Sequence, residues 1–413
     1  MKTNYFILSV VTGWALTLFA CTQEADQPGA ALPDAEPILL KEEFQVKTEK
    51  NRSFALELFK ATVREAAGEN VFISPYSVNT ALAMAWNGAA GETFDEMSVV
   101  LGNENFTREQ INEYAKTLTD VLIQADPSTE LRIANSLWAD HTTPFLSSFV
   151  QTNQTWYDAV VRNVDFNDPE TFRTIDRWGL DHTHNKIDHI SAGMSTQTSF
   201  ALINATYFNA KWKYKFDTSA TRKETFTNHT GQKTTVKMMT QTADLFYTSD
   251  HQDWKMLSLP YGNGAFSMVI LMPYAVEPLD QKIASLSADM YYGLVERLYL
   301  SSVTVKLPVF QAECTYSLHE NILPALGMRQ AFDKNKANLS GMSASPAYIN
   351  GVVHKTYVEV NEEGTEAAGL TAVEVIATSV PQEIRFSVDR PFVYSILENS
   401  TGTLLFMGCV NEL

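Results

Sequence analysis

Helix-patterned sequence fills the first part of this chain and strand-patterned sequence fills the second, and that segregation most restricts what it can fold into. In "NRSFALELFKATVREAAG", Phe54, Ala55, Leu58, Phe59 and Thr62 share one helical face, and Gly68 stops the run. In "ISPYSVNTALAMAW", Ser74 stands as N-cap with Pro75 at the first helical position, and Val78, Ala81, Leu82 and Ala85 follow at helical spacing. Ile111, Tyr114, Ala115, Leu118 and Leu122 mark another helix. Later the pattern changes. "SFALINATYF", "FSMVILMP", "SVTVKLPVF", "GVVHKTYVEV", "EIRFSV", "PFVYSIL" and "TLLFMGCV" are short, β-branched or aromatic, and separated by turn residues. Helices grouped early and strands grouped late predict an α+β fold. No internal repeat or low-complexity linker divides residues 44–413, so a single domain is expected there.

The N-terminus reads differently. "MKTNYFILSVVTGWALTLFAC" has Lys2 as its only charge, an apolar run from Tyr5 to Phe19, and Ala20 directly before Cys21. It resembles a bacterial lipoprotein signal, which implies a signal peptide over 1–20, acylation of Cys21, and an exported protein lipid-anchored in the bacterial envelope, at the outer membrane. An ordinary secretory signal or a retained membrane anchor are the alternatives. Residues 21–43, rich in Pro, Ala and acid without periodicity, describe a tether, and order is expected to begin near Phe44. Cys314 and Cys409 are too few for a disulfide framework and are expected to be free core thiols. A hydrophobic content of 45% over 413 residues is ample for a core, and a net charge of -17 opposes binding to nucleic acid.

One segment reads as both loop and strand. In "NEEGTEAAGLTAVEVIATSVPQEIRF", residues 361–386, counting in twos puts Thr365, Ala367, Gly369, Thr371, Val373 and Val375 on one face, all small or apolar. Glu366, Ala368, Leu370, Ala372 and Glu374 form the other, mixed face. Ala-Ala-Gly is a poor strand former, and the acidic pair with Gly364 marks a turn. A segment able to live in both states is a candidate switch.

Five further stretches carry a family resemblance in the expected order: "NVFISPYSVNTALAMAWNGAAGET" at 70–93, "ALINATYFNAKW" at 201–212, "VKMM" at 236–239, "VHKTYVEVNEEGTEAAG" at 353–369 and "DRPFVYSILENSTGTLLFMGCV" at 389–410. Together they resemble the serpins over essentially the whole ordered chain. The resemblance implies three β-sheets, eight or nine helices and an exposed reactive-centre loop. In inhibitory members a protease cuts that loop, forms an acyl-enzyme, and is dragged along as the loop inserts into the main sheet. Residues 365 to about 376 are then a loop first and a strand afterwards, and no proline or charge on the buried face stalls them, Pro381 lying beyond.

The same resemblance assigns sites. Glu362, Glu363, Gly364, Thr365, Glu366, Ala367, Ala368 and Gly369 form the loop hinge. Counting Glu362 as the first of the seventeen residues usual up to the cut puts the reactive bond at Thr378-Ser379, with Val375, Ile376 and Ala377 read by the protease. This uncharged, β-branched sequence suits elastase-like or subtilisin-like serine proteases, with papain-like cysteine proteases second. Ser74, Ser77, Asn204 and His354 form a shutter cluster behind the sheet, with the neutral imidazole bonded to a neighbouring side chain, and Trp212 lies at the breach where insertion begins. No glycine elbow surrounds Ser379, so the chain is a substrate and carries no catalytic residue of its own. No cofactor is expected. His182, His184 and His189 lack the spacing of a helical ligand pair, so no metal is expected either. The region around Arg108 and Lys116 is too poor in bases for heparin-type glycans. A monomer that inhibits proteases is the leading reading; a non-inhibitory surface binding protein of the same fold, cleaved only as a substrate, is the alternative.

Overall fold

The first helix extends upstream of its apolar stripe: α1 spans Glu42–Ala66 in the computed structural model, which describes residues 32–192, 194–250, 253–365 and 384–413. It stops as the sequence predicts, because Ala67 (φ 48°) and Gly68 (φ 99°) turn left-handed. β1 (Val71–Ile73) leads to α2 (Pro75–Trp86), where the Ser74 side chain accepts from the Ser77 amide. Every residue of α2 is buried, so it is a central helix without a solvent face. α3 (Gly91–Leu101) and α4 (Arg108–Gln124) follow, the latter opened by a capping box between Thr107 and Gln110 and burying Ile111, Tyr114, Ala115, Leu118 and Leu122.

Next come β2 (Glu130–Asp140), α5 (Ser147–Tyr157), β3 (Val160–Val164), α6 (Pro169–His182) and β4 (Phe200–Lys211). The strand-rich part holds β5 (Arg222–Thr227), β6 (Lys233–Ser249), β7 (Trp254–Pro260), β8 (Phe266–Pro273), α7 (Leu279–Ser285), α8 (Ala288–Val295), β9 (Tyr299–Pro308) and β10 (Phe310–Ser317). It ends with α9 (Ile322–Ala325), β11 (Ile349–Val360), β12 (Gly364–Thr365), β13 (Ile384–Ser387), β14 (Phe392–Glu398) and β15 (Thr403–Val410).

This is the expected α+β architecture, with strands also threaded among the early helices. The main sheet runs β10-β11-β12-β4-β2-β3, with β11 also paired to β4. The other strands form one nine-stranded ladder, because the 17-residue β6 pairs with β5, β7 and β9 and so joins what the resemblance describes as two sheets.

Packing begins ahead of Phe44. Asp34 pairs with Lys213 at 2.7 Å, the Ala35 amide donates to Asn263 O at 3.1 Å, and the Ile38 amide donates to Ser400 Oγ at 2.9 Å. The compact unit therefore starts at Pro33, not near Phe44. Composition hides this, since the segment is held by backbone bonds and single side chains and not by a periodic face. Cys314 and Cys409 are both free, yet only Cys409 is fully buried; Cys314 is half-buried on β10. Among the described residues no helix is long and apolar enough to cross a membrane.

Candidate functional site

β4 and β11 run parallel and directly paired, with His354 opposite Asn204 and Thr356 opposite Thr206. Beyond that pair they part. Into the fork comes β12, antiparallel to both: Thr365 pairs with Val360 on one side and with Ala210 on the other. The sheet thus has a third strand between β4 and β11 at one end only.

The chain turns into this fork at Asn361–Gly364, where the Asn361 amide donates to Gly364 O at 3.0 Å. Only glycine fits at 364, because a Cβ there would stand 2.1 Å from Ala210 O. Thr365 is buried, and its Oγ1 lies 2.6 Å from the hydroxyl of Tyr261. Burial pushes that phenol well above its ordinary range, so it stays neutral. The Tyr261 ring stacks on Trp212 at 4.5 Å and 9°. Trp212 in turn holds the turn: Nε1 donates to Asn361 O at 2.9 Å and its amide donates to Glu363 O at 3.0 Å. Glu362 accepts from Thr221 Oγ1 at 2.7 Å, and Glu363 pairs with Lys215 at 2.8 Å. The described part of the hinge, Glu362 to Thr365, is therefore fastened residue by residue.

Lower in the sheet a polar row crosses three strands. Asn135 of β2 and His354 of β11 both lie opposite Asn204 of β4. Asn204 Nδ2 donates to Asn135 Oδ1 at 2.7 Å, while Ser77 Oγ donates to Asn204 Oδ1 and lies 2.5 Å from Thr206 Oγ1. His354 differs from expectation. Its Nε2 accepts from the backbone amide of Ser74 at 2.9 Å, not from a side chain, so the proton sits on Nδ1, which is buried without a partner among the described residues. The N-terminus of a buried helix passes directly behind the ring, and its free amide is the nearest donor. Burial lowers the imidazole to about 3, so the ring is neutral as expected. Ser74 Oγ donates to Leu405 O at 2.7 Å, tying the group to β15.

α6 and the chain after it lie over β4 and β11, with Trp178, Ile187 and Ile190 packed on Ile203 and Val353. Lys355 pins that cover: its Nζ donates to the carbonyl of Asp188 at 2.7 Å and pairs with the carboxylates of Asp188 at 3.3 Å and Glu313 at 2.8 Å. His182, His184 and His189 do not converge; they face Trp178 O, Glu130 and Asp176 respectively. Glu366, Ala367, Ala368, Gly369, Val375, Ile376, Ala377, Thr378 and Ser379 lie outside the described residues, as does Cys21.

An antiparallel segment thus stands between the parting ends of a parallel strand pair. The family described as "Serpin (serine protease inhibitor)" matches residues 49–413. The chain belongs to the serpin family. The human leukocyte elastase inhibitor is 34% identical over 371 residues, covering 87% of this chain and 97% of that protein. A serine protease inhibitor of Cyanea capillata is 33% identical over 367 residues, covering 86% and 95%. The native-state crystal structure of tengpin, a thermophilic serpin, superposes with a TM-score of 0.82 at 30% identity, covering 93% of this chain and 97% of that one.

Within this serpin the sequence reading brings together Ser74, Ser77, Asn204 and His354, and places Trp212 against the hinge. It misses Asn135, Thr206, Tyr261 and Lys355. Lys355 carried a signal, being a cation in the middle of the valine-rich strand "GVVHKTYVEV". Tyr261 carried none, because it reaches the site from the far end of β7 through a single bridge to Trp212.

Proposed function

We propose that this serpin inhibits serine proteases by presenting Thr378-Ser379 as a substrate bond and then inserting the cut loop between β4 and β11. The observation that carries the reading is β12. Thr365 is already seated opposite Val360 and antiparallel to it. Continued in that register, one residue down for each residue along, Ile376 arrives opposite Ile349, where β11 begins. Thr365 also fixes which face goes inward, since directly opposed residues share a face. Val360, Val358, Thr356, His354 and Val352 are buried, so Ala367, Gly369, Thr371 and Val373 would follow Thr365 toward the core, with Val375 opposite the half-buried Asn350. None of these is charged.

The chemistry needs no group of the inhibitor beyond the bond itself. The protease serine oxygen attacks the Thr378 carbonyl carbon, the Thr378–Ser379 bond breaks, and the Ser379 amine leaves with the proton. Thr378 remains esterified to the enzyme. Insertion exchanges one strand–strand contact for two, a net gain of about one ladder at roughly 0.5–1.5 kcal/mol per bond. Movement of the ester away from the fork then competes with its hydrolysis.

Val375-Ile376-Ala377-Thr378 supports elastase-like or subtilisin-like targets, with papain-like enzymes second, and the human relative is itself named for leukocyte elastase. The N-terminal pattern supports export with a lipid anchor at Cys21. The test is to mix the protein with pancreatic elastase, run a denaturing gel and sequence the released peptide. A stable complex with a peptide starting at Ser379 is expected. Cleavage without complex, repeated with subtilisin and a papain-like enzyme, would instead support a serpin-fold binding protein.

A further inference from the structure

We propose that Asp140, His141 and Asp165 form a binding site for one borderline first-row divalent cation, with zinc as the reference ion. The site lies at the edge of the main sheet, away from the fork. Asp140 ends β2, His141 follows it, and Asp165 follows the last residue of β3. Backbone pairing brings them together: Asp140 stands opposite Val164, and the His141 amide donates to Val164 O at 2.8 Å.

One nitrogen and one oxygen from each carboxylate lie within 4.8 Å of one another. His141 Nδ1 stands 3.7 Å from Asp140 Oδ2 and 3.9 Å from Asp165 Oδ1. Those separations are too long for hydrogen bonds, so neither carboxylate holds the ring. They are close to the roughly 3.4 Å between two ligands that each lie about 2.0–2.2 Å from a tetrahedral zinc ion. Closing the set also requires the two carboxylate oxygens, which lie within 4.8 Å of each other, to draw together by side-chain rotation.

Both carboxylates are held by neighbouring backbone amides, Asp140 through the oxygen that faces away from the histidine. Asp140 Oδ1 accepts from the Thr142 amide at 3.0 Å, which leaves Oδ2 facing the histidine. Asp165 Oδ1 accepts from the Asn167 amide at 2.8 Å and from Asn167 Nδ2 at 3.1 Å, so an ion would share that oxygen or take Oδ2. Such supporting bonds are what a ligand set needs to keep its geometry. Among the described residues no lysine or arginine pairs with either carboxylate, so an ion entering here displaces no existing salt bridge. Two carboxylates and an imidazole suit zinc, nickel, cobalt or manganese. They do not suit calcium or magnesium, which call for about six or more oxygens. Three protein ligands leave a fourth position for water. An ion here would tie the end of β2 to the junction between β3 and α6.

The experiment is zinc titration calorimetry on the purified, tag-free, EDTA-stripped protein, with a thermal melt in parallel. One zinc per chain is expected, together with a rise in melting temperature. His141→Ala and Asp165→Asn should each weaken binding at least ~10-fold and abolish the rise. A double variant of the other exposed histidines in this half, His184→Ala with His189→Ala, should keep both. Cobalt gives an independent readout: tetrahedral ligand-field bands in the wild type that vanish in His141→Ala. Zinc binding unchanged in both site variants, or no binding up to millimolar zinc, would overturn the proposal.

Discussion

Tyr261 and Thr365 share a buried hydrogen bond of 2.6 Å, and Thr365 is the last residue of β12. The bond makes a residue of β12 depend on the segment that follows β7. Tyr261→Phe keeps the ring that stacks on Trp212 and removes only the hydroxyl, leaving the Thr365 hydroxyl buried without its partner. A loss of about 1–2 kcal/mol in apparent stability is expected, read as a lower unfolding midpoint at fixed heating rate. An unchanged midpoint would mean that the threonine finds another acceptor.

Thr365→Arg places a charge between Val360 and Ala210, at a buried position now held by the Tyr261 hydroxyl. Leaving a buried charge unpaired costs several kcal/mol, and insertion cannot proceed without burying this position. The variant is expected to be cut by elastase as fast as the wild type but to yield cleaved product in place of complex. An unchanged inhibition stoichiometry would rule out insertion through this fork.

His354 sets a pH dependence. Its pKa falls to about 3 in the fold from an ordinary 6.5, so below 6.5 the unfolded chain takes up a proton that the folded chain refuses. Its contribution is therefore complete above pH 6.5 and is lost as pH falls from there toward 3, at up to about 1.4 kcal/mol per unit. Unfolding midpoints from pH 8 to 4 should decline more steeply for the wild type than for His354→Gln, which cannot titrate. Parallel curves would show that other groups carry the acid sensitivity.

Lys355→Met keeps the aliphatic stem and removes the bonds to Asp188 and Glu313. Both carboxylates are about half exposed and water takes over their solvation, so overall stability should change by no more than about 1 kcal/mol. The local effect should be larger. Amide exchange in residues 183–192 is expected to speed up by mass spectrometry while β4 and β11 keep their protection. Equal acceleration in those strands would mean that the lysine stabilises the sheet itself.

How much was legible in the sequence depended on whether a feature is local. α2 was readable because Ser74, Pro75 and the following apolar positions are near neighbours, and the structure repeats that reading down to the cap bond. β2 was not readable: Asn135 and Ser136 interrupt its apolar alternation, and they are polar because they serve a row of bonds to other strands. His354 shows the limit most sharply. Its place in the cluster and its neutrality came with the family resemblance, but its partner is the amide of Ser74, and a backbone group leaves no mark in a side-chain pattern.

The one-ended seating of β12 has a consequence for what stability means in this protein. Thr365 is fastened in the fork and Ile384 to Val303 of β9, while β4 and β11 pair directly with each other beyond the fork. A chain that could lower its free energy by rearranging without unfolding is preserved by the height of a barrier. Where insertion is open to the chain as proposed, its durability also has a kinetic side, a half-life sensitive to how fast it is warmed and how long it is stored, which adds to the equilibrium terms above.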